Sequence, residues 1–385
     1  MGRGKSVFIW LLVALVALAI SASATLALAN PGTIRAIAVD PLAPNTVYVA
    51  TQEAGVLKTT DNGATWAAKN ADLPTRIIAD IAVDPLVPAN VYIATARGAF
   101  RSTNGGDSWE LTKPDLVCTA LAVDSAAPGN VFMGTATAGL LGSTDYGQTW
   151  VSLGAQDAGQ ITGLAIGASS VNPSLNTSDA AFKPDTVYMV SARGEVLVGK
   201  RTAGGLYEFV ETKISNQYVY SLLGPKIANG IKGEVWVGVH EGGIYMLPIK
   251  EDAEWIKVST PNGNANINGL ARDPQSENRG TSYSPSASAE KVVYAASYDG
   301  YVMKGVGDGA SFTWNNILDA GILGVAEVHP RVVTTVTLTG ENGAVQSPPP
   351  MWVGTFSSNG QPGAVYYSPD GGATWNNVLA GGWSE

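Results

Sequence analysis

A unit of about forty residues recurs along the chain and limits the folds open to it. Its first copy has an apolar segment at residues 34–41, a second at 47–51, and an octapeptide at 59–66 that ends in tryptophan. The next two copies are nearly as clear, at residues 78–109 and 118–150. The four further copies open at Ile161, Val219, Ile267 and Ile322, with second segments at Val187, Val235, Val292 and Met351.

Each unit contains four short segments rich in Val, Ile, Tyr and Thr, separated by turn residues, and this pattern predicts a four-stranded antiparallel sheet. A single sheet of this kind cannot bury both faces, so neighbouring sheets must stack around an axis. The sequence therefore predicts an all-β fold, a seven-bladed β-propeller that occupies residues 30–385 as one domain. The ring is expected to close by packing of the first blade on the last, and this closure is expected to be weak.

Two columns of the opening segments support the arrangement. Small side chains are expected where the innermost strands crowd near the axis, and the neighbouring column alternates to the other blade face. The small column holds Ala38, Ala82, Ala122, Ala165, Leu223, Ala271 and Ala326, and the apolar column holds Ile37, Ile81, Leu121, Leu164, Leu222, Leu270 and Val325.

The octapeptides that end the units share the pattern S-x-D-x-G-x-T-W, the Asp-box. Residues 143–150 and 368–375 match it fully, residues 59–66 differ in the first position, and residues 102–109 have Asn104 in place of the acid. A short carboxylate accepts backbone N–H bonds in a hairpin loop, glycine permits positive φ, and tryptophan packs between sheets. We therefore interpret these residues as structural: Asp61, Trp66, Asn104, Trp109, Asp145, Trp150, Asp370 and Trp375. Phe209, Trp255 and Trp314 are predicted to close the other three blades.

With these motifs, residues 33–379 resemble the Asp-box (BNR-repeat) propeller superfamily, which includes sialidases, xyloglucanase-type glycoside hydrolases, sortilin-type receptors and photosystem II stability and assembly factors. The resemblance implies the fold but does not choose among these functions. Xyloglucanase-type enzymes place their cleft between two propellers, whereas this chain has length for one. The three arginines and the Tyr/Glu pair of sialidases cannot be placed here. The single propellers that resemble photosystem assembly factors match best in size, export signal and blade number.

Charge and cysteine content exclude several classes of function. The formal net charge is -9, and there is no basic stripe of the kind that binds a nucleic-acid backbone. Cys118 is the one cysteine, which excludes an internal disulfide and a multi-cysteine metal site. It occupies an apolar column, so we expect a buried, unreactive thiol. The histidines, His240 and His329, fall in different blades, and His329 is expected to end a strand before Pro330. No metal site and no cofactor are predicted.

The first 29 residues form a separate segment. Arg3 and Lys5 precede an apolar run from Val7 to Ile20, and Ala27-Leu28-Ala29 provides an A-x-A cleavage site, which is typical of a secretory signal peptide. The alternative is an uncleaved membrane anchor, because residues 7–29 are long enough to cross a bilayer. Both readings place the propeller outside the cytoplasm, as a secreted, periplasmic, cell-surface or membrane-anchored protein.

Loops that join second to third strands, and those that enter the first strands, are expected to cluster at one mouth of the central channel. Arginine, acidic and tyrosine side chains together can hold a carboxylate, a glycan or a peptide. The binding candidates are Arg35, Arg76, Arg97, Arg193, Tyr218, Tyr220, His240, Glu241, Asn268, Tyr298 and Asp299, with Gln52 and Glu53 in the same loops. The alternative interpretation is an ordinary solvated rim.

Three long connections at the opposite end, at residues 167–184, 274–291 and 331–350, could form a partner surface or be tolerated insertions.

Three hypotheses for function follow. The first is a non-catalytic extracytoplasmic interaction or assembly propeller with a protein or glycan partner. The second is a glycoside hydrolase, xyloglucanase- or sialidase-like, with paired carboxylates at the mouth such as Glu53, Glu241 or Asp299. The third is an accessory subunit that a retained N-terminal helix ties to a membrane complex, which is the case in which we expect membrane contact.

Overall fold

The computed structural model describes residues 30–384 except 126, 168–185, 203–204, 213, 215–217, 226–233, 250–252, 259, 261–264, 274–290, 309–310, 324, 326, 328, 336–347 and 360. In these ranges the chain forms seven four-stranded sheets, and strands that follow each other in sequence lie side by side in each sheet. All strand pairs are antiparallel. The predicted seven-bladed propeller is therefore confirmed.

The strands of the first four blades are β1 (Ile34–Val39), β2 (Val47–Thr51), β3 (Val56–Thr59), β4 (Ala67–Ala68), β5 (Asp80–Val83), β6 (Val91–Thr95), β7 (Gly98–Ser102), β8 (Glu110–Pro114), β9 (Cys118–Val123), β10 (Val131–Thr135), β11 (Leu140–Ser143), β12 (Val151–Gly154), β13 (Ile161–Ile166), β14 (Thr186–Ser191), β15 (Val196–Arg201) and β16 (Tyr207–Thr212). A 3₁₀ turn, Gln156–Ala158, lies between the third and fourth blades.

The last three blades contain β17 (Val219–Leu223), β18 (Glu234–Val239), β19 (Gly243–Pro248), β20 (Ile256–Val258), β21 (Ile267–Arg272), β22 (Lys291–Ser297), β23 (Tyr301–Asp308), β24 (Ser311–Asp319), β25 (Pro330–Thr335), β26 (Met351–Thr355), β27 (Val365–Ser368) and β28 (Asn376–Asn377). One helical turn, α1 (Ala320–Leu323), follows β24.

The first strand of each blade is the innermost, because each contacts the first strands of both neighbouring blades around the ring. The second strands are buried on both faces in several blades, as in β2, β6 and β10. The register explains the small column. Ala38 lies opposite Tyr48 and Ala82 opposite Tyr92, so a small residue on the inner strand leaves space for an aromatic ring on the next strand.

The opening strand of the seventh blade differs from the prediction. It is β25 rather than a strand from Ile322, which lies in α1. The register places Val333 in the apolar column and Thr334 opposite Trp352, so Val325 does not belong to the apolar column. The other predicted column residue, Ala326, lies outside the described residues. The apolar spacing at residues 322–326 imitates the other blades, but β24 runs to Asp319 and the β-branched run 332–335 forms the strand. In the sixth blade the equivalent of Val47 is Val293, one residue after the predicted Val292.

Two of the predicted closing aromatics occupy the same register position. Phe209 pairs with Gly199 and Trp314 with Gly305, and both glycines correspond to Thr59 in the first blade. A Cβ at Gly305 would lie 2.7 Å from the Trp314 ring, so glycine lets the ring cover the strand. Of the three aromatics predicted for blades without an octapeptide, Phe209 and Trp314 thus lie at equivalent positions. The third, Trp255, directly precedes β20.

The turn chemistry predicted for the octapeptides is present in all four. Asp61 accepts bonds from Thr65 N (2.9 Å), Thr65 Oγ1 (2.6 Å) and Thr59 Oγ1 (2.7 Å). Asp145 and Asp370 have the same partners in their own hairpins. Hydrogen bonds from the Thr65 hydroxyl and amide hold the pKa of Asp61 down at about 2. These carboxylates are engaged in their own loops.

The ring closes by packing of the first blade on the seventh, as predicted, since β1 contacts both β25 and β26. Hydrogen bonds also cross this junction. Gly363 N donates to Gly32 O (3.1 Å), and Ser384 forms a parallel bridge with Ala67.

Several predictions fall on other parts of the chain. The N-terminal segment, residues 1–29, lies outside the described residues, and so does most of the first two long connections. The third connection was placed too early, because Arg331–Thr335 belongs to β25. In the part of the chain that the structure describes, no helix has the length and apolar character needed to span a bilayer.

Candidate functional site

A ring of bulged residues surrounds the channel mouth. In six blades the register of the first strand shifts directly after its opening residue, so that one residue has no opposite partner. A bulge turns the extra side chain away from the ladder. The bulged residues are Arg35, Thr119, Thr162, Tyr220, Asn268 and Arg331.

Four of these six residues line a cavity of about 610 Å³ at the mouth, which we call the mouth cavity. Its walls come from the fourth to the seventh blades. They consist of Thr162, Ala192, Tyr218, Val219, Tyr220, His240, Asn266, Asn268, Tyr298, Arg331 and Phe356. A concave site with aromatic walls and a few polar groups is typical of ligand pockets.

Aromatic side chains form two groups in these walls. Tyr220 meets His240 edge-on at 5.3 Å between ring centroids. Tyr298 contacts Phe356 edge-on at 5.1 Å and stacks on His329 at 4.9 Å. Tyr218 and Tyr220 are 60% and 50% exposed, so their faces are available to a ligand. Exposed tyrosines offer flat amphipathic contact area at low cost in side-chain entropy.

Arg331 supplies the positive charge of the mouth cavity. Its guanidinium Cζ lies 5.0 Å from the Phe356 ring centroid. Burial, and then repulsion from Arg35, lower the pKa of Arg331 to about 10, against the attraction of Asp80. Burial raises the pKa of Asp80 to about 6, although Leu121 N and Ile81 N donate to its oxygens at 2.8 Å each. Arg331 thus remains charged at neutral pH.

Two donors in the cavity are left for a ligand. Nδ2 of Asn268 is buried and has no hydrogen-bond partner. Among the described residues, the guanidinium of Arg331 contacts the Phe356 ring but makes no ion pair or hydrogen bond. Buried donors without partners cost free energy, which a ligand acceptor restores. The cavity is therefore suited to a ligand that carries hydrogen-bond acceptors.

Five of the predicted binding residues meet in the mouth cavity: Tyr218, Tyr220, His240, Asn268 and Tyr298. Arg35 lies beside it and donates to Gln52 Oε1 at 3.0 Å. Arg76, Arg97 and Arg193 are exposed elsewhere on the rim, and Arg193 donates to Asp157 O at 3.2 Å. The predicted ring is thus divided into a cavity on one side and scattered cations on the other.

The acidic candidates lie outside the cavity. Asp299 accepts bonds from Asn266 N (2.8 Å) and Nδ2 (2.9 Å), and Glu241 N donates to Asn266 Oδ1 at 3.0 Å. The carboxylate of Asp299 and the backbone amide of Glu241 therefore position Asn266. Glu53 lies on the first blade, where its N donates to Pro31 O. In the described ranges no Asp or Glu side chain lines the mouth cavity.

Sequence reasoning missed Asn266, Arg331 and Phe356. A signal for Arg331 exists: the residue after each opening apolar residue is the bulged one, and Arg331 follows Pro330 just as Arg35 follows Ile34. The misplaced opening strand at Ile322 hid this equivalence. His329 was also misjudged, because it directly precedes β25 instead of ending a strand.

Cys118 is buried, and burial raises its thiol pKa to about 12, as expected for an unreactive side chain. Among the described residues, no three His, Cys, Asp or Glu side chains are grouped as a metal site would require.

Comparison with known proteins places the fold among solved propellers. No protein-family model matches the sequence, and no curated protein matches it. An ancestral GH74 enzyme is 18% identical over 92% of this chain and 47% of its own, with a TM-score of 0.66. The GH74 xyloglucanase from Xanthomonas campestris is 16% identical over 92% of this chain and 55% of its own, also at 0.66. The chain thus spans about half the length of these enzymes.

A structure of YCF48 bound to D1 peptide is 15% identical over 89% of this chain and 93% of its own, with a TM-score of 0.58. The predicted resemblance to xyloglucanase-type and photosystem-factor-like propellers is therefore confirmed. At these identities the likeness establishes the fold and leaves the function open.

Proposed function

We propose that this chain is a non-catalytic interaction propeller that binds an extended peptide segment of a partner protein in the mouth cavity. The observation that carries the proposal is the combination of exposed tyrosine rings with the unpartnered donors of Arg331 and Asn268. An extended peptide offers a carbonyl acceptor at every residue and side chains for the aromatic walls.

The comparisons support a protein partner in a limited way. The structure of YCF48 was solved with a bound D1 peptide, and 93% of that chain aligns with the fold of this one. A propeller of this size can therefore hold a peptide without a second domain. A glycan is the other ligand that the tyrosines suit, and it becomes an outcome of the test.

The test compares three forms of the full chain. Tyr220→Ala and Arg331→Gln each change one residue in the wall of the mouth cavity, and Arg97→Gln changes an exposed arginine outside it. Partners captured from native membranes or culture fluid should be retained by Arg97→Gln and lost by the two cavity variants. Calorimetry with peptides from the captured partner should show at least about tenfold weaker binding for each cavity variant, equal to about 1.4 kcal/mol.

Capture that all three forms share, or binding to a glycan array without any peptide, would overturn the proposal. Circular dichroism and thermal unfolding of each variant exclude loss of the fold as the cause of weak binding.

The hydrolase hypothesis is less well supported by the geometry. Both glycosidase mechanisms need two carboxyl groups that face the same bond. In the described residues the mouth cavity has none, and Asp299 is engaged with Asn266. A chromogenic glycoside panel should therefore show no turnover, and Asp299→Ala should not alter the background rate.

The cellular location is part of the proposal. The basic start, the apolar run and Ala27-Leu28-Ala29 favour export of the propeller, either released or anchored. N-terminal sequencing of the native protein separates the two: a start at Asn30 indicates cleavage, and an intact N-terminus favours the accessory-subunit hypothesis.

A further inference from the structure

A second cavity adjoins the mouth cavity over the seventh blade. It also measures about 610 Å³, and we call it the rim cavity. Its walls include Glu327, His329, Asn359, Gln361 and Tyr366, and it shares Phe356 with the mouth cavity. The two cavities are therefore neighbours on one surface.

Three rings separate the two cavities. Phe356 contacts Tyr298 at 5.1 Å, and Tyr298 stacks on His329 at 4.9 Å. Two backbone-linked bonds hold this partition in place: Phe356 N donates to His329 O at 2.9 Å, and His329 Nδ1 lies 2.8 Å from Tyr298 O. Because a carbonyl can only accept, Nδ1 carries the proton in that bond.

The cavities carry opposite charges. Arg331 is the charged residue in the wall of the mouth cavity, and Glu327 is the acidic residue in the wall of the rim cavity. Asn359 donates a hydrogen bond to Glu327 Oε2, and His329 Nε2 lies 3.3 Å from Glu327 Oε1. The hydrogen bond from Asn359, together with His329, lowers the pKa of Glu327, so this side chain is ionised at neutral pH.

Both charged groups have room for a further partner. A carboxylate has about four lone-pair sites, and the two described contacts of Glu327 leave part of its half-exposed side chain open. Arg331 has no described hydrogen bond and lies over the Phe356 ring. The positive and the negative group thus stand on opposite sides of the three-ring partition.

We propose that the two cavities form one groove that reads the order of charges in a bound peptide, with an acidic side chain at Arg331 and a basic side chain at Glu327. This inference rests on the proposed function. Four contacts of about 5 Å or less link the two charges. Since an extended chain covers about 3.3–3.6 Å per residue, the two peptide charges lie at most about five residues apart.

The experiment selects random peptides, capped at both ends, on the full-length chain. Capping removes the terminal charges of the peptides. If the site requires a free terminal carboxylate, peptides that bind without caps will fail to bind once they are capped, which would contradict recognition of side-chain charges. The native chain should enrich segments with one acidic and one basic residue in a constant order and at the stated separation.

Neutral variants then assign each charge. Arg331→Gln should relax the acidic position alone, and Glu327→Gln the basic position alone, each with about tenfold weaker binding of a selected peptide. Glu327→Lys should replace the basic preference by an acidic one. Arg97→Gln and Glu208→Gln are matched controls at exposed residues outside both cavities, and should keep the native selection.

Selection of peptides without an ordered charge pair would overturn this inference and leave the proposed function standing. An identical charge order from the native chain and from both glutamine variants would do the same. Enrichment of no peptide at all would contradict the proposed function itself.

Discussion

The indole Nε1 of Trp66 donates a hydrogen bond to the carbonyl oxygen of Val378, 2.8 Å away across the junction of the first and seventh blades. Ala68 N donates to Ser384 O at 2.7 Å, and Ser384 N to Trp66 O at 2.9 Å, beside it. No strand of the first blade belongs to the sheet of the seventh in the described ranges. Side-chain packing and these few bonds therefore hold the ring closed.

Trp66→Phe tests whether this junction is the weak point of the ring. The change keeps an aromatic ring but leaves the Val378 carbonyl unpaired, which costs about 1–3 kcal/mol of unfolding free energy if the carbonyl stays buried. We expect faster hydrogen exchange at the amides of Ala68 and Ser384. Denaturant unfolding and exchange mass spectrometry measure the two effects.

The matched control is Trp109→Phe, because Trp109 Nε1 donates to Lys69 O at 2.9 Å between the first and second blades. It should cost a similar free energy without raising exchange at Ser384. Equal exchange at Ser384 in both variants would contradict a weak closure.

The hairpin at Asp61 provides a second prediction, because the chain contains both an acid and an amide version of it. Asn104 accepts from Ser108 N at 3.0 Å, and its Nδ2 donates to Ser108 Oγ at 2.9 Å. Asp61→Asn can form the equivalent bonds with Thr65, so we expect it to be nearly neutral at pH 7. Asp61→Ala loses them, and we expect a cost of about 1 kcal/mol.

The two variants also differ in acid. The pKa of Asp61 is lowered to about 2 in the fold, so its stabilisation is present above the unfolded pKa and is lost as pH falls towards 2. Asp61→Asn should remove that part of the acid sensitivity. A stability profile of Asp61→Asn that still follows the native one below about pH 4 would count against this assignment.

Repeats made most of the fold predictable, because packing repeats one chemistry around the axis. Ala38, Ala82 and Ala122 mark the inner strands directly, since each faces an aromatic residue of the next strand. The seventh blade was misread where that column holds Thr334 instead of alanine. The apolar spacing at residues 322–326 resembles the opening strands of the other blades, and the prediction followed it instead of the β-branched run that forms the strand.

The candidate site was less predictable, because it depends on which blades carry large side chains at the bulge. The bulged position was visible in the sequence at Arg35, Tyr220 and Asn268, and all three are among the predicted binding residues. Phe356 and Asn266 occupy repeating positions: Phe356 N donates to His329 O as His240 N donates to Tyr218 O, and Asn266 directly precedes β21 as Tyr218 directly precedes β17. The side chain at each repeated loop position varies from blade to blade, so the repeat indicates where these residues lie but not which of them form the cavity.

Gly354 gives a third prediction, at the contact of the seventh blade with the first. A Cβ there would lie 2.4 Å from Ile34 Cγ2 and 2.8 Å from Val332 Cγ1. Gly354→Ala should therefore cost about 1–3 kcal/mol by overpacking. Gly381→Ala is the control, since a Cβ at Gly381 meets nothing within 4 Å. Thermal unfolding should separate the two, and equal midpoints would show that the junction has room to adjust.

The raised pKa of Asp80 predicts that the free energy of unfolding changes in mildly acidic solution. Burial raises its pKa to about 6 in the fold, so folding favours the protonated carboxyl. A raised acid pKa stabilises the fold below the unfolded pKa of about 3.9, and this contribution is lost as pH rises through about 6. We expect the free energy of unfolding to carry a downward step on the order of 1 kcal/mol across this window.

Variants identify the group responsible for the step. Asp80→Asn should abolish it, whatever its effect on absolute stability, whereas the exposed Asp72→Asn should keep it. Because the charge of Arg331 lowers the pKa of Asp80, Arg331→Gln should move the step to higher pH. Urea unfolding at closely spaced pH values measures all four forms. A step that survives in Asp80→Asn would assign it to another group, and an unmoved step in Arg331→Gln would show that the two residues do not interact across the channel.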